Sequence, residues 1–257
     1  PASAITKTLF CFFKRSKKLL FSFIVKYIYK IDMFDSCFHF KDNNLNLIRI
    51  QSKLLKKYKI KKSLCMYDNE KNDKERMKFS KNLIMYKNLI HVPTLNKNDC
   101  KYNLKKKLRN FNFLKVNPRI LNIRIENKNF YKKIFRKISN TKIILLWCTF
   151  DGYYDKPCKV DQLNFLSELI PYLKNNKIIL MHGGGTNILR YYERFRFCEN
   201  VFLDLSYTFN HYYNSNLIKD FHFLATNFDK RLIIGSDYPS IKYEKHYANI
   251  NNFFKKY

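Results

Sequence analysis

Between residues 30 and 237 eight short apolar runs recur, and longer stretches with spaced apolar residues separate them. The runs are KIDMFDS (30–36), IKKSLCMY (60–67), NLIHVP (88–93), FLKVNP (113–118), KIILLWC (142–148), KIILMH (177–182), NVFLDLS (200–206) and RLIIGSD (231–237). Each is short and rich in β-branched or aromatic residues, as a strand covered on both faces must be. The intervening stretches, such as FYKKIFRKI, VDQLNFLSELIPYL and LIKDFHFLATNF, show the spacing of one-sided helices. Eight strand–helix units in series predict an α/β fold, a (β/α)8 TIM-like barrel. A doubly wound open sheet usually carries a Gly-rich first turn, and none is present.

With 46% hydrophobic and 17% aromatic residues, the 257-residue chain is too apolar for disorder and long enough for one large core. The barrel domain is expected over residues 30–257, preceded by a basic amphipathic segment, residues 1–29. Within that segment the run LFCFFKRSKKLLFSFIVKYIY is broken by KRSKK and Lys26. Its longest uninterrupted stretch, LLFSFIV, falls well short of the roughly 20 residues that span a bilayer. KYIYKID offers no small-residue cleavage site for a signal peptide. A helix packed against the barrel is expected, with peripheral contact to an anionic membrane as the alternative.

The net charge of +30 would ordinarily point to nucleic acid. Heavy use of Lys, Asn, Ile, Phe and Tyr is, however, the bias of an AT-rich coding sequence. Residues 1–128 carry +22 and residues 129–257 only +8, so most of the excess lies outside the half where the motifs are densest. Solvated helix faces are expected, not a nucleic-acid partner. Seven cysteines without a CxxC pair argue against a disulfide framework or zinc ribbon, and for a reducing, cytoplasmic setting.

In a barrel of this type the functional groups stand at the C-terminal ends of the strands. Those ends carry Asp35, Cys37 and His39, then Asn117, Cys148, His182, Ser206 and Asp237. In an extended chain the alternation of DSCFHF places Asp35, Cys37 and His39 on one face, a candidate metal site. HGGG at 182–185 holds three of the five glycines; His182 reads either as a buried core histidine or as a functional group at the mouth. A phosphate-binding loop would add a Lys that is missing. In GSDYP at 235–239, Asp237 reads either as a helix cap or as a ligand or general base. Thiol, imidazole and carboxylate together favour zinc over magnesium or calcium.

On these residues the chain resembles the amidohydrolase-related proteins of the metal-dependent hydrolase superfamily, which are distorted (β/α)8 barrels, over roughly residues 30–257. The family's first strand ends in D-x-H-x-H; here DSCFHF keeps His39 and has Cys37 in the place of the first ligand His. A fourth-strand K-x-H-P-R pattern stands as KVNPR, with Asn117 in the His position and Arg119 at its end. ILLWCTF puts Cys148 where the fifth strand usually ends in a ligand His, HGGG supplies His182, GSDYP supplies Asp237, and NVFLDLS matches the seventh strand.

The resemblance implies a metal-dependent hydrolase acting on a C–N or C–O bond of a small-molecule substrate, or a related decarboxylase. A divalent metal, commonly zinc, would be held by His39, Cys37, Cys148 and Asp237. Asp237 would serve as base and His182 would orient the substrate or oxyanion, with Asn117, Arg119 and Tyr153, the last in the loop TFDGYYDKP, contacting substrate. Two thiolates would make the metal a poorer Lewis acid than two imidazoles. The alternatives are an impaired barrel, metal-free where the site has degenerated, that serves as a binding module, and a basic TIM-barrel metallonuclease. GSDYP departs from the T-D-S-P-like ending of the latter.

Overall fold

The computed structural model describes residues 33–255 except 69, 71, 102–103, 105–107, 140 and 153–156. The amphipathic segment expected over 1–29 lies outside the described residues. Eight strands are described: β1 Met33–Phe40, β2 Ile60–Tyr67, β3 Leu89–His91, β4 Phe113–Val116, β5 Ile144–Cys148, β6 Ile178–Met181, β7 Val201–Asp204 and β8 Leu232–Ile233. The longer helices between and after them are α1 Leu45–Lys57, α2 Asp73–Ile84, α3 Lys128–Ile138, α4 Gln162–Leu169, α5 Ile188–Phe195, α6 Leu217–Asn227 and α7 Tyr243–Lys255. Between β3 and β4 the described residues form only the short helix Lys97–Lys101.

Helix starts follow from side chains that satisfy otherwise unpaired N–H groups. Asn44 accepts from the Asn46 N–H before α1, Asn72 from Glu75 before α2, and Asp161 from Asn164 before α4.

Every strand pairing is parallel, in the orders β1-β2-β3 and β4-β5-β6-β7-β8. Backbone hydrogen bonds cross both seams between these sets. Lys115 N–H donates to Pro93 O and Leu95 N–H to Lys115 O, each at 2.8 Å. On the other side His39 N–H donates to Tyr238 O at 2.7 Å and Asp237 N–H to Cys37 O at 2.9 Å. The eight strands therefore form one ring, a TIM barrel.

Packing agrees with closure. One apolar cluster draws Phe34 and Cys37, Leu64 and Met66, Ile90, Phe113, Leu146, Ile179 and Met181, Phe202 and Ile233 from all eight strands. Only the interior of a ring brings one face of every strand together. Alternate residues point outward: Trp147 packs with Phe135 of α3 and Phe165 of α4, and Phe38 with Tyr243 of α7.

Each expected strand is found, most of them within a residue or two at either end. The first differs most, because it runs on through Phe40 and carries Cys37 and His39 within the strand. Its register slips between Asp35 and Phe38, a bulge against β2. The expected common face therefore fails for Asp35. Cys37 and His39 face the mouth, while Asp35 turns toward α7 and accepts from Tyr243 Oη at 2.6 Å.

Candidate functional site

The inward files of the barrel begin apolar and end polar: Phe113 then Lys115 on β4, Leu146 then Cys148 on β5, Phe202 then Asp204 on β7. The period of two that fills the interior thus delivers titratable groups to its C-terminal end.

The segment Gly235–Asp237 is clamped between two buried carboxylates. Asp204 accepts from Gly235 N–H at 3.2 Å and from Ser206 N–H and Oγ at 2.9 and 2.8 Å. Asp35 accepts from Ser236 N–H at 2.9 Å, Ser236 Oγ at 2.7 Å, Tyr243 Oη and Cys37 N–H. Burial pushes Asp35 up to about 6 in spite of these donors. Gly235 permits the close approach: a Cβ there would lie 2.3 Å from Ser36 Oγ and 3.1 Å from the Cys37 backbone N.

So held, Asp237 takes up a left-handed backbone at φ 59° and meets the first strand. Cys37 Sγ donates to Asp237 Oδ1 at 3.0 Å, and His39 Nε2 lies 3.5 Å from Cys37 Sγ and 3.7 Å from Asp237 Oδ1. One donor atom from each of the three lies within 4.8 Å of the other two. Asp68, just past β2, holds His39 Nδ1 at 2.5 Å and leaves Nε2 facing the cluster. Burial and then the Asp237 charge push the Cys37 thiol well up, so it stays protonated. Burial also opposes ionisation of Asp237, but the neighbouring His182 charge, the Cys37 hydrogen bond and Lys115 hold that carboxyl below its ordinary value.

Lys115 is buried within the same cluster, its Nζ 3.4 Å from His39 Nε2 and 3.6 Å from Met66 Sδ. Burial and this ammonium hold His39 below its ordinary value against the pull of Asp68.

Cys148 lies at the end of β5, outside the cluster of the other three candidate ligands. His182 opens a turn in which it and Gly183, Gly184 and Gly185 all have positive φ, and its Nδ1–H donates to Ser206 O at 3.0 Å. Burial raises the Cys148 thiol, but the His182 hydrogen bond and charge, then Lys115 and Arg119, outweigh it and bring Cys148 down to about 6. Burial lowers His182, but the Cys148 partner, Asp237 and the Ser206 carbonyl carry it up to about 9. The rings of Phe150, His182 and Tyr207 meet edge to face at 6.0–6.4 Å beside this pair.

Asn117 caps the helical turn Pro118–Leu121, its Oδ1 accepting from the Arg119 and Ile120 N–H groups. The Arg119 guanidinium lies 5.1 Å from the centre of the Phe150 ring, and its Nε is buried without a hydrogen-bond partner among the described residues. Tyr153 lies outside the described residues. Sequence reasoning missed Lys115 and Asp68. Lys115 could have been found from its place in KVNPR, two residues beyond Phe113 on the inward file; Asp68 carried no such signal. It also missed a buried ionic cluster between the ends of β2 and β3, where Arg76 bridges Glu70 and Asp99 and Glu70 holds His91.

No protein-family model matches the sequence, and no curated protein matches it. Solved structures resemble it in fold. An uncharacterized TIM-barrel protein from Bordetella bronchiseptica has TM-score 0.65 at 12% identity, covering 85% of this chain and 91% of that one. A probable 2-pyrone-4,6-dicarboxylic acid hydrolase from Acinetobacter baumannii, with citric acid bound, has TM-score 0.57 at 14% identity, covering 87% and 92%.

Proposed function

We propose that the chain is a hydrolase of the amidohydrolase-related type, cleaving a C–N or C–O bond of a small molecule at the mouth of its barrel. The observation that carries this reading is the convergence of Cys37, His39 and Asp237 from the two ends of the chain onto one point. The hydrolase-like Acinetobacter neighbour, similar in fold, accords with it.

The donor set fits a divalent metal, zinc by its chemistry, because thiolate, imidazole and carboxylate are the usual zinc ligands and Asp68 already fixes the His39 tautomer. Cys37, His39 and Asp237 would hold the ion, which supplies a water of lowered pKa and a polarised carbonyl. Asp237, kept ionised at neutral pH, accepts the proton of the attacking water. His182, kept cationic, stands near developing negative charge on the substrate oxygen. The Arg119 guanidinium, backed by Phe150, offers a donor to the substrate.

A second reading has a specific observation in its favour. Lys115 Nζ is directed at His39 Nε2, the nitrogen a metal would need, as in a barrel that binds ligands with a built-in cation in place of a metal. Metal analysis of protein purified without chelator separates the two. Bound zinc of about one per chain, lost in Cys37→Ala and Asp237→Ala, supports the hydrolase. Metal-free protein that still binds small anions sinks it in favour of the binding barrel.

A further inference from the structure

All eight strands run parallel, so the links that lead from helix into strand share one end of the barrel, and those that leave the strands share the other. The second end holds the candidate site. At the first end the links at 55–60, 81–89, 109–113, 136–144, 170–178, 194–201 and 228–232 carry 15 Lys and Arg against 2 Asp and Glu. At the site end the links at 41–44, 68–72, 92–99, 117–127, 149–161, 182–187, 205–216 and 234–242 carry 8 against 9. A coding bias toward Lys would load both ends alike. The attraction of cations to helix C-termini accounts for Lys56, Lys57 and Arg136 in last turns. It does not account for Lys59, Lys87, Lys142, Lys174 and Lys230, which are exposed outside the α-helices.

The same basic end exposes apolar side chains. Phe197, before β7, is 83% exposed and Ile84, before β3, 82%, the two highest values among the large apolar residues described; Met85 follows at 69%. Arg196 lies over the Phe197 ring at 4.7 Å, and Arg136 over Tyr172, before β6, at 4.1 Å. In a closed ring of eight strands the starts of β3 and β7 stand opposite each other, so apolar points flank the basic field on two sides. Residues 1–32, whose sequence includes KRSKK and LLFSFIV, join β1 at this end too.

We propose that this end of the barrel docks on an anionic lipid bilayer, its lysines and arginines meeting the headgroups while Phe197, Ile84 and Met85 enter the interface. Each basic side chain close to such a surface strengthens binding roughly fivefold, and the apolar side chains add the area they bury. The phosphates of a nucleic acid would use the charge but leave the apolar points in water, so charge and apolar points together favour lipid. Docked in this way, the barrel keeps its site end toward the aqueous side, open to a small molecule.

Co-sedimentation of the full chain with vesicles tests this, using phosphatidylcholine alone or with about one-third phosphatidylserine. Binding is expected only with phosphatidylserine, and it should fall steeply between about 0.1 and 0.5 M salt. Lys87→Glu, Lys174→Glu and Lys230→Glu together should weaken it roughly a hundredfold. Lys97→Glu, Lys159→Glu and Lys242→Glu, the same change in net charge at the site end, should weaken it less than about threefold, because they stand beyond the reach of the screened surface. Ile84→Ser with Phe197→Ser should cost about tenfold with every lysine in place. Failure to sediment with phosphatidylserine vesicles would overturn the proposal, and equal losses in the two triple variants would reduce the effect to net charge. Binding that survives the first triple variant would assign the contact to residues 1–32 instead. Tighter binding of duplex DNA, with vesicle binding indifferent to Ile84 and Phe197, would give the face to nucleic acid.

Discussion

Asp35 accepts from four donors at the point where the first strand, the GSD segment and α7 meet. A carboxylate takes four donors without offering one, whereas an amide in its place would turn an N–H toward another donor. Asp35→Ala should cost roughly 3 kcal/mol or more in urea unfolding, because it strands several buried donors at once. Asp35→Asn should lie between the variant and the parent; an unchanged midpoint for the alanine variant would remove Asp35 from the clamp. At Cys37 the expectation concerns pH. Burial and Asp237 keep this thiol protonated, so a metal that binds through sulfur must displace a proton. Zinc affinity, measured by competition with a coloured chelator, should weaken steadily as pH falls from 8 to 6; a flat profile would speak against sulfur ligation. Single residues of the site were legible where they stood in compact motifs, as His39, His182 and Asp237 did. Asp68 and Lys115 were not, because their significance is a distance to His39 across 29 and 76 residues of chain.

At the scale of elements, two turns present the chemistry. In the HGGG turn a Cβ at Gly184 would meet the Tyr191 ring of α5 at 2.2 Å, at a backbone φ of 84°. Gly184→Ala should therefore destabilise by about 2–3 kcal/mol, from overpacking together with the left-handed backbone. Gly185→Ala, in open space though also at positive φ, should cost less, and equal thermal midpoints for the two would refute the packing account. The strand periodicity that located the elements also explains where the reading failed. Strict alternation put Asp35 beside Cys37, but the bulge against β2 shifts the phase by one residue and sends Asp35 outward. A bulge leaves no mark in a one-strand pattern, since it is defined by the partner strand.

For the whole molecule, acid should be felt where α7 packs against the outside of the barrel. His246 is buried and accepts at Nδ1 from Asn210 Nδ2–H at 2.8 Å, and burial holds it down at about 4. A base whose folded value is depressed contributes stability that is complete above about 6.5 and lost as pH falls toward 4. The full loss is about 3 kcal/mol, and His246→Gln should flatten it. Asp35, raised to about 6, has the opposite sign: its contribution is present at the acid end and fades as pH rises from about 4. Urea unfolding from pH 4 to 7 of the parent and the His246 variant isolates the histidine's share; identical slopes would exclude it.

No helix among the described residues is long and apolar enough to cross a membrane. The eight-fold strand–helix order, and with it the barrel, followed from local pattern alone, because the solvent exposure of each segment imposes its period. Which polar ends touch was decided only by closure of the ring. Cys37 meets Asp237 across 200 residues, and Cys148 stays outside the cluster of the other three, because contact between strand ends depends on register, bulge and seam. Those belong to pairs of elements, and no single stretch of sequence carries them.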